Sequence, residues 1–321
     1  MESAARGMRV LGALPSAASR LLGALLFLLA APVPSYAQDD GARLYMMVPR
    51  DTTIASLRLH RLHSNIAADP GSVADGRLDT NLGVFQFVQA LNFNGNQGFV
   101  FLVVPASRIE ATAESLAGGG SNSIAGLGDA QLGFVYGVHG TPALGIEDYK
   151  DHRPGLAVNL LAKLFFPTGE YDSDRSINIG ANRWALRLGV PIVYAIGEHM
   201  ADPGLVTVEL MPTVTFFGAN DDPFEAGRSR QKPLFILEGH LTRGFTRTFW
   251  ASLDLLWREG GEVRLDGKDA GNAQSALSLG ATTVFALGGP ASLRLSGGHV
   301  VARNEHGPNG WMLRSILGFV F

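Results

Sequence analysis

The chain has 321 residues, no cysteine and a formal net charge of −3. Without cysteine there is no disulfide framework, no thiolate metal site and no cysteine nucleophile, and without a basic surplus nothing points to nucleic acid as a partner. Charged residues are 17%, with 46% hydrophobic residues and 40 glycines, a balance that fits a chain with one face in lipid and also a soluble β-rich protein.

Arg6, Arg9 and Arg20 precede the apolar run Leu21–Ala31, Pro32 and Pro34 break any helix, and Ser35 and Ala37 offer small residues at the −3 and −1 positions. This is the three-part pattern of a secretory signal peptide. Residues 1–37 are therefore expected to be removed after Ala37, leaving 38–321 as the mature chain. An uncleaved N-terminal anchor is the alternative, but the run is short for a membrane span. Gln38, not a cysteine, would follow the cut, which argues against a lipoprotein. Beyond Ala37 no stretch reaches the roughly 18 apolar residues of a membrane helix. The mature chain is then either soluble after export or a closed barrel, because lipid admits only helices and closed barrels.

The dominant period in the mature chain is two. In 154–166, Leu156, Val158, Leu160, Leu164 and Phe166 alternate with Ala157, Asn159, Leu161, Lys163 and Phe165. In 183–196, Trp184, Leu186, Leu188, Val190, Ile192, Tyr194 and Ile196 form one face, with Arg183, Arg187 and Pro191 on the other. Similar alternation recurs in 206–216, 249–258, 277–285 and 292–296. Side chains alternate across a strand, so each segment has one apolar and one small or polar face. The segments are also longer than the roughly 5–6 residues usual in soluble domains and reach the roughly 9–11 of a tilted membrane strand.

The fold class read from this pattern is all-β, a transmembrane antiparallel up-and-down barrel of about twelve strands. Strands are expected near 52–63, 79–93, 97–106, 127–139, 154–166, 183–197, 204–217, 232–244, 247–259, 275–287, 291–303 and 311–321. Connections alternate long and short, as outer loops and periplasmic turns do in such barrels. The 140–153 connection breaks the alternation, being long where a short turn is expected. Residues 107–126 read as a long outer loop, with helical propensity in Ile109–Leu116 and a flexible Gly118–Ser121, that either stays outside or folds inward as a plug. Pro191 and Pro212 fall inside strands of a barrel with no edge to excuse them, and call for bulges.

The chain ends on an alternating strand, Trp311 to Phe321, with Phe319 and the terminal aromatic Phe321 on one face. This resembles the signal that the outer-membrane barrel-assembly machinery recognises; an ordinary buried terminal strand is the plain alternative. A second resemblance lies in Phe166-Pro167-Thr168-Gly169-Glu170-Tyr171-Asp172 followed by Asn178-Ile179-Gly180-Ala181-Asn182-Arg183-Trp184, with Gly126-Leu127-Gly128-Asp129 upstream. These runs resemble the hallmark of the MetA-pathway of phenol degradation family, most clearly over about residues 126–196. The resemblance implies an outer-membrane barrel of the kind called a transporter, and its motif residues fall on Gly128, Asp129, Pro167, Gly169, Asp172, Asn178, Gly180, Asn182 and Trp184.

Polar residues on the inward faces are candidates to line a lumen: Arg58, His60, Asn159, Lys163, Arg187, Glu209, Glu238, His240, Asp254, Arg258, Arg294 and Arg314. Facing them inward avoids the roughly 2–4 kcal/mol that a lipid-facing Arg or Lys costs at mid-bilayer. They either set the selectivity of a pore or plug a narrow barrel with salt bridges, since twelve strands lie between filled eight-stranded and open sixteen-stranded barrels. Trp184, Trp257 and Trp311 near strand ends read as an interfacial girdle, with a ligand-stacking platform as the alternative. Glu170, Asp172 and Asp174 alternate as divalent-cation ligands can, but without a Gly-centred EF-hand loop they better suit a solvated turn.

No G-x-S-x-G, H-E-x-x-H or phosphate-loop motif occurs, and no His-x-Ser of the kind outer-membrane phospholipases carry. The sequence therefore reads as a passive outer-membrane channel or uptake protein for small molecules, aromatic or hydrophobic ones included. It is expected to use no cofactor and no metal, with membrane lipid, the assembly machinery and an unknown solute as its partners. A closed structural or partner-binding barrel and a lipid-modifying barrel enzyme are the competing readings.

Overall fold

The computed structural model describes residues 39–65, 77–113 and 120–321. The expected signal peptide lies outside these. Twelve antiparallel strands close on themselves. They are β1 (Thr53–Ser64), β2 (Arg77–Phe93), β3 (Asn96–Ala113), β4 (Gly120–Leu127 and Gln131–His139), β5 (Leu156–Phe165), β6 (Ala185–Gly189 and Ile192–Ile196), β7 (Val206–Phe217), β8 (Leu234–Thr246), β9 (Phe249–Gly260), β10 (Gln274–Gly288), β11 (Ala291–Arg303) and β12 (Gly310–Val320). Each strand pairs with its neighbours in sequence, and β12 returns to β1 with Leu57 opposite Leu317. The terminal Phe321 completes that seam, exchanging backbone hydrogen bonds of 2.8 and 2.9 Å with Thr53.

The period of two sorts the side chains as the sequence predicts. Leu253 is 67% exposed and Leu59 55%, whereas Asp254 is 3% exposed and Glu238 fully buried. A soluble monomer would not present such a continuous apolar exterior. A barrel in lipid must, because the hydrocarbon replaces the missing outer core. Trp184 and Trp257 stand on this exterior, edge-on to Phe166 and Phe235 at 5.3 and 5.5 Å.

Three features depart from the sequence reading. Residues 107–126 form neither helix nor inward plug where described. β3 runs on to Ala113 and pairs with Gly120–Leu127, extending the β2–β3–β4 ladder outward. The 140–153 connection is long because it contains a short helix, α1 (Ile146–Asp151), and it docks beneath the barrel rather than signalling a miscounted strand. The prolines need no bulge. Register continues through the break in β6, from Gly189 opposite Thr213 to Ile192 opposite Leu210. The remaining halves of the ladder pairs persist, as Asn159 N–H donates to Pro191 at 2.8 Å and Val190 N–H to Pro212 at 3.1 Å. Each proline thus removes one bond of a two-bond pair.

Leu253 sits in the lipid-facing row near the middle of β9. Leu253→Arg is expected to destabilise the folded barrel in phosphatidylcholine vesicles by about 2–4 kcal/mol in a guanidinium titration. A loss under about 0.5 kcal/mol would place that face against something other than hydrocarbon.

Candidate functional site

The lumen is occupied by the chain's own N-terminal segment. Residues 39–50 enter from the end where β1 begins and climb inside the barrel. Gly41 (φ 109°) and Arg43 (φ 57°) turn the backbone sharply. The N–H groups of Asp39, Asp40 and Gly41 then converge on the Glu238 carboxylate at 3.1, 3.0 and 2.9 Å. A positive φ next to such convergence suits glycine, which has no Cβ to clash. Lower down, Arg43 N–H donates to Glu209 at 2.8 Å, and the Arg43 guanidinium reaches Thr242 and the Leu205 carbonyl, both at 2.9 Å. Tyr45 packs among Val88, Phe99, Phe101, Val135, Leu161 and Met211. Met46 and Met47 pack with Met200 and Leu205 against Leu144 and Tyr149 of the α1 region.

Most of the candidate inward residues meet this segment. The Lys163 ammonium is 2.6 Å from Asp40, with both side chains less than a tenth exposed. Arg187 pairs with Asp39. Asn159 donates to the Tyr45 carbonyl (3.4 Å), Arg294 to that of Ala42 (2.8 Å) and Arg314 to that of Asp39 (3.2 Å). Glu209 and Glu238 take its backbone N–H groups as described. His240 stands behind Glu238, its Nε2 3.2 Å from that carboxylate and its Nδ1 2.7 Å from Asp254. Arg58 donates to Gln86 on the neighbouring strand. His60 faces inward beside Arg314 in register. Arg258 lies further toward the outer end, on the lining of the outer cavity.

Burial alone would raise the Asp40 carboxyl, but Lys163 and Arg187, with hydrogen bonds from Lys163 and Tyr45, hold it well below the ordinary range. Asp39 behaves alike: burial pushes up most strongly, but Arg187, Lys163 and Arg258 together outweigh it, and the net shift is downward. These charges sit where their mutual attraction is strong, and a buried pair that loses one member costs about 3–5 kcal/mol.

The family-like motif builds a clamp at the outer mouth. Between Leu127 and Gln131, β4 has three residues against two on β3, a one-residue bulge. The bulge carries Asp129. Its two carboxylate oxygens accept the N–H groups of Gly169 (2.8 Å) and Ala181 (2.9 Å), tying both ends of the 166–184 loop to the wall. The two strands of that loop touch at glycines: a Cβ on Gly169 would lie 2.7 Å from the Gly180 Cα. Asn178 cross-braces Asp172, and Asn182 binds Asn220 at 3.0 Å. Gly128 N–H holds the Pro105 carbonyl at 2.9 Å, Pro167 starts the loop and Trp184 ends it. Thus Asp172 serves as a turn residue, bonded to Asp174 N–H and paired with Arg175 at 3.0 Å. Among the described residues no group of three His, Asp or Glu could hold a metal ion.

Folded over this way, the loop packs Ile177 and Ile179 onto Leu78, Ile109 and Ala111. Together with the outer strand ends it encloses a vestibule of about 470 Å³ above the N-terminal segment. Its wall is mainly apolar, with Arg183, Arg187 and Arg258 set into it. Sequence reading missed Asp39, Asp40, Arg43 and Tyr45, which lie before the first strand and carry no periodic signal. It also missed Trp250, which faces inward beneath Arg43 and Arg294, 4.5 and 5.3 Å from its ring centre.

The family described as "Putative MetA-pathway of phenol degradation" matches residues 64–313. The fold is similar to the COG4313 outer membrane channel from Pseudomonas putida F1, with a TM-score of 0.73 at 20% identity over 88% of this chain and 100% of that one. The β domain of the Bordetella autotransporter BrkA is similar at a TM-score of 0.51 and 11% identity, over 84% of this chain and 100% of that one. No curated protein matches the chain.

Two outcomes follow from this geometry. Asp129→Ala removes two charge-assisted hydrogen bonds of about 1.5–3 kcal/mol each, so trypsin should cut after Arg175 about tenfold faster; an unchanged rate would deny the clamp. Because Asp39 and Asp40 have depressed folded pKa values, their hold on the segment is complete above the ordinary carboxyl pKa of about 3.9 and fades as pH falls below it. Hydrogen exchange, corrected for intrinsic rates, should show steady protection of the Asp39–Gly41 amides from pH 8 to 5 and its loss below about pH 4. Loss between pH 8 and 5 would contradict this assignment.

Proposed function

The chain belongs to the family described as "Putative MetA-pathway of phenol degradation", and from that premise we propose that it is a passive channel of the bacterial outer membrane for small, largely apolar molecules. The observation that carries the reading is the lumen itself. An apolar exterior sits outside a closed barrel. Inside, a vestibule opens outward above a segment held by reversible, non-covalent contacts. Solute entering the vestibule meets a mainly apolar wall in which Arg183 and Arg258 are set, and below it the Arg187–Asp39 pair. Passage then requires the segment to shift. Phe319 and Phe321, at the closing seam, are the residues we assign to recognition by the barrel-assembly machinery.

We read the protein as a channel and not an enzyme. Among the described residues the most catalytic-looking group, His240, has Asp254 on one ring nitrogen and Glu238 on the other, and Ser252 bonds Asp254 at 2.7 Å rather than the imidazole. No hydroxyl nucleophile is thereby activated. The competing reading, a closed structural barrel, is favoured by the segment filling the lumen.

Conductance separates the two. In planar bilayers the folded protein is expected to give small, steady channels, and deletion of residues 39–48 should raise unit conductance several-fold. Charge reversal at Lys163 or Arg258 should shift cation-to-anion selectivity. Absence of conductance and of solute flux in liposomes, for both the whole and the truncated chain, would support the closed barrel.

A further inference from the structure

The vestibule contains a mismatch between its walls and its charges. Its lining includes Leu62, Leu82, Pro105, Ile109, Ile179 and Phe217, yet three guanidiniums, those of Arg183, Arg187 and Arg258, enter it. Among the described residues Asp129 is the only carboxylate on that lining, and both of its oxygens are committed to the loop clamp. Arg183 is held over the Phe217 ring at 4.9 Å with its Nη2 on Gln231 at 2.6 Å. Arg187 donates its Nε to Thr215 at 3.0 Å and stacks 5.6 Å from Phe165. On the wall itself, Arg183 and Arg187 are thus oriented by aromatic rings and neutral acceptors. The volume falls within the roughly 300–1,000 Å³ of small-molecule pockets.

The vestibule floor adds a second observation. The counter-charge of Arg187 is Asp39, a residue of the N-terminal segment and not of the wall, and its side chain remains 34% exposed beside an Arg187 that is 11% exposed. The ion pair is therefore both the base of the vestibule and the top anchor of the segment.

We propose that the vestibule binds amphiphilic organic monocarboxylates, the apolar body against the Leu62–Ile109 wall and the carboxylate on Arg187, where it takes the place of Asp39. This inference rests on the channel reading above and names its substrate class. Arg offers a planar fork that pairs with carboxylate oxygens two at a time. The incoming carboxylate supplies the same chemistry as Asp39, so exchange conserves the ion pair while freeing the segment. Binding solute and loosening the N-terminal segment are then one event. A neutral molecule of equal size fills the apolar space without displacing Asp39.

The test uses the full mature chain in phosphatidylcholine nanodiscs, with empty nanodiscs as the blank, and benzoate and benzyl alcohol as matched probes. Calorimetry should show benzoate binding at least tenfold tighter than the alcohol. Arg187→Gln should lower benzoate affinity about tenfold and leave the alcohol unchanged, while Asp39→Asn should tighten benzoate by removing its competitor. A merely structural Asp39 would give weaker or equal binding. Because the chain lacks cysteine, Ala42→Cys provides a single reporter, and its reaction with an impermeant maleimide at pH 7 should accelerate several-fold with benzoate but not with benzyl alcohol. Each variant is checked for the heat-dependent gel shift of a folded barrel. Equal affinity for the two probes, or Asp39→Asn that fails to tighten benzoate, overturns the proposal. Conductance with no benzoate preference would refute the site and keep the channel; benzoate binding without conductance or flux would do the reverse.

Discussion

The structure depends on one constraint: charges taken into a barrel interior must be paired there. Lipid outside forbids the charged face from turning outward, so β1, β5–β9, β11 and β12 point their ionisable residues into a confined space. The wall neutralises itself only in part, as where His240 stands between Glu238 and Asp254. Lys163 and Arg187 find Asp40 and Asp39, and Glu238 and Glu209 find backbone N–H groups of the same short segment. The segment and the wall are complementary halves of one buried network, and each would be costly without the other.

The same constraint explains the uneven inner surface. Around Tyr45 the wall is apolar, with Phe99, Phe101, Val135 and Leu161 turned inward. There the segment presents Leu44, Tyr45 and Val48, not carboxylates. Polar anchoring near Asp39–Arg43 gives way to hydrophobic packing near Met46 and Met47, where the α1 region closes the lower end. The outer half is organised differently: Asp129, raised on a bulge, pins a loop whose isoleucines wall the vestibule. A position that looked like a simple loop signature is a structural clamp.

Much of the barrel was legible because lipid enforces the period of two on every strand, so Leu156, Leu160, Trp184 and Leu253 declare the outer face by type alone. The inward direction of Lys163, Glu238 and Asp254 follows from the same alternation. What each would touch was not legible. Asp39–Val48 has no period, since it is neither strand nor helix, and its partners lie on strands far along the chain. Residues 107–126 misled because Ile109–Leu116 suits a helix locally, whereas in its described part, Ile109–Ala113, pairing with β2 and with Gly120–Leu127 overrides that preference. Pro191 and Pro212 looked disruptive because each lacks a donor, but the sheet tolerates two half-empty pairs without changing register.

Glu238 lies 197–199 residues along the chain from the amides it binds. Contacts of that span carry a large loop-closure entropy and form late. The segment precedes every strand in sequence, yet its seat on Glu209 and Glu238 does not exist until β7 and β8 have been added. The interior network therefore acts as a final spoke across the wheel, so that completion of the circle and the seating of the segment belong to one concluding step of assembly.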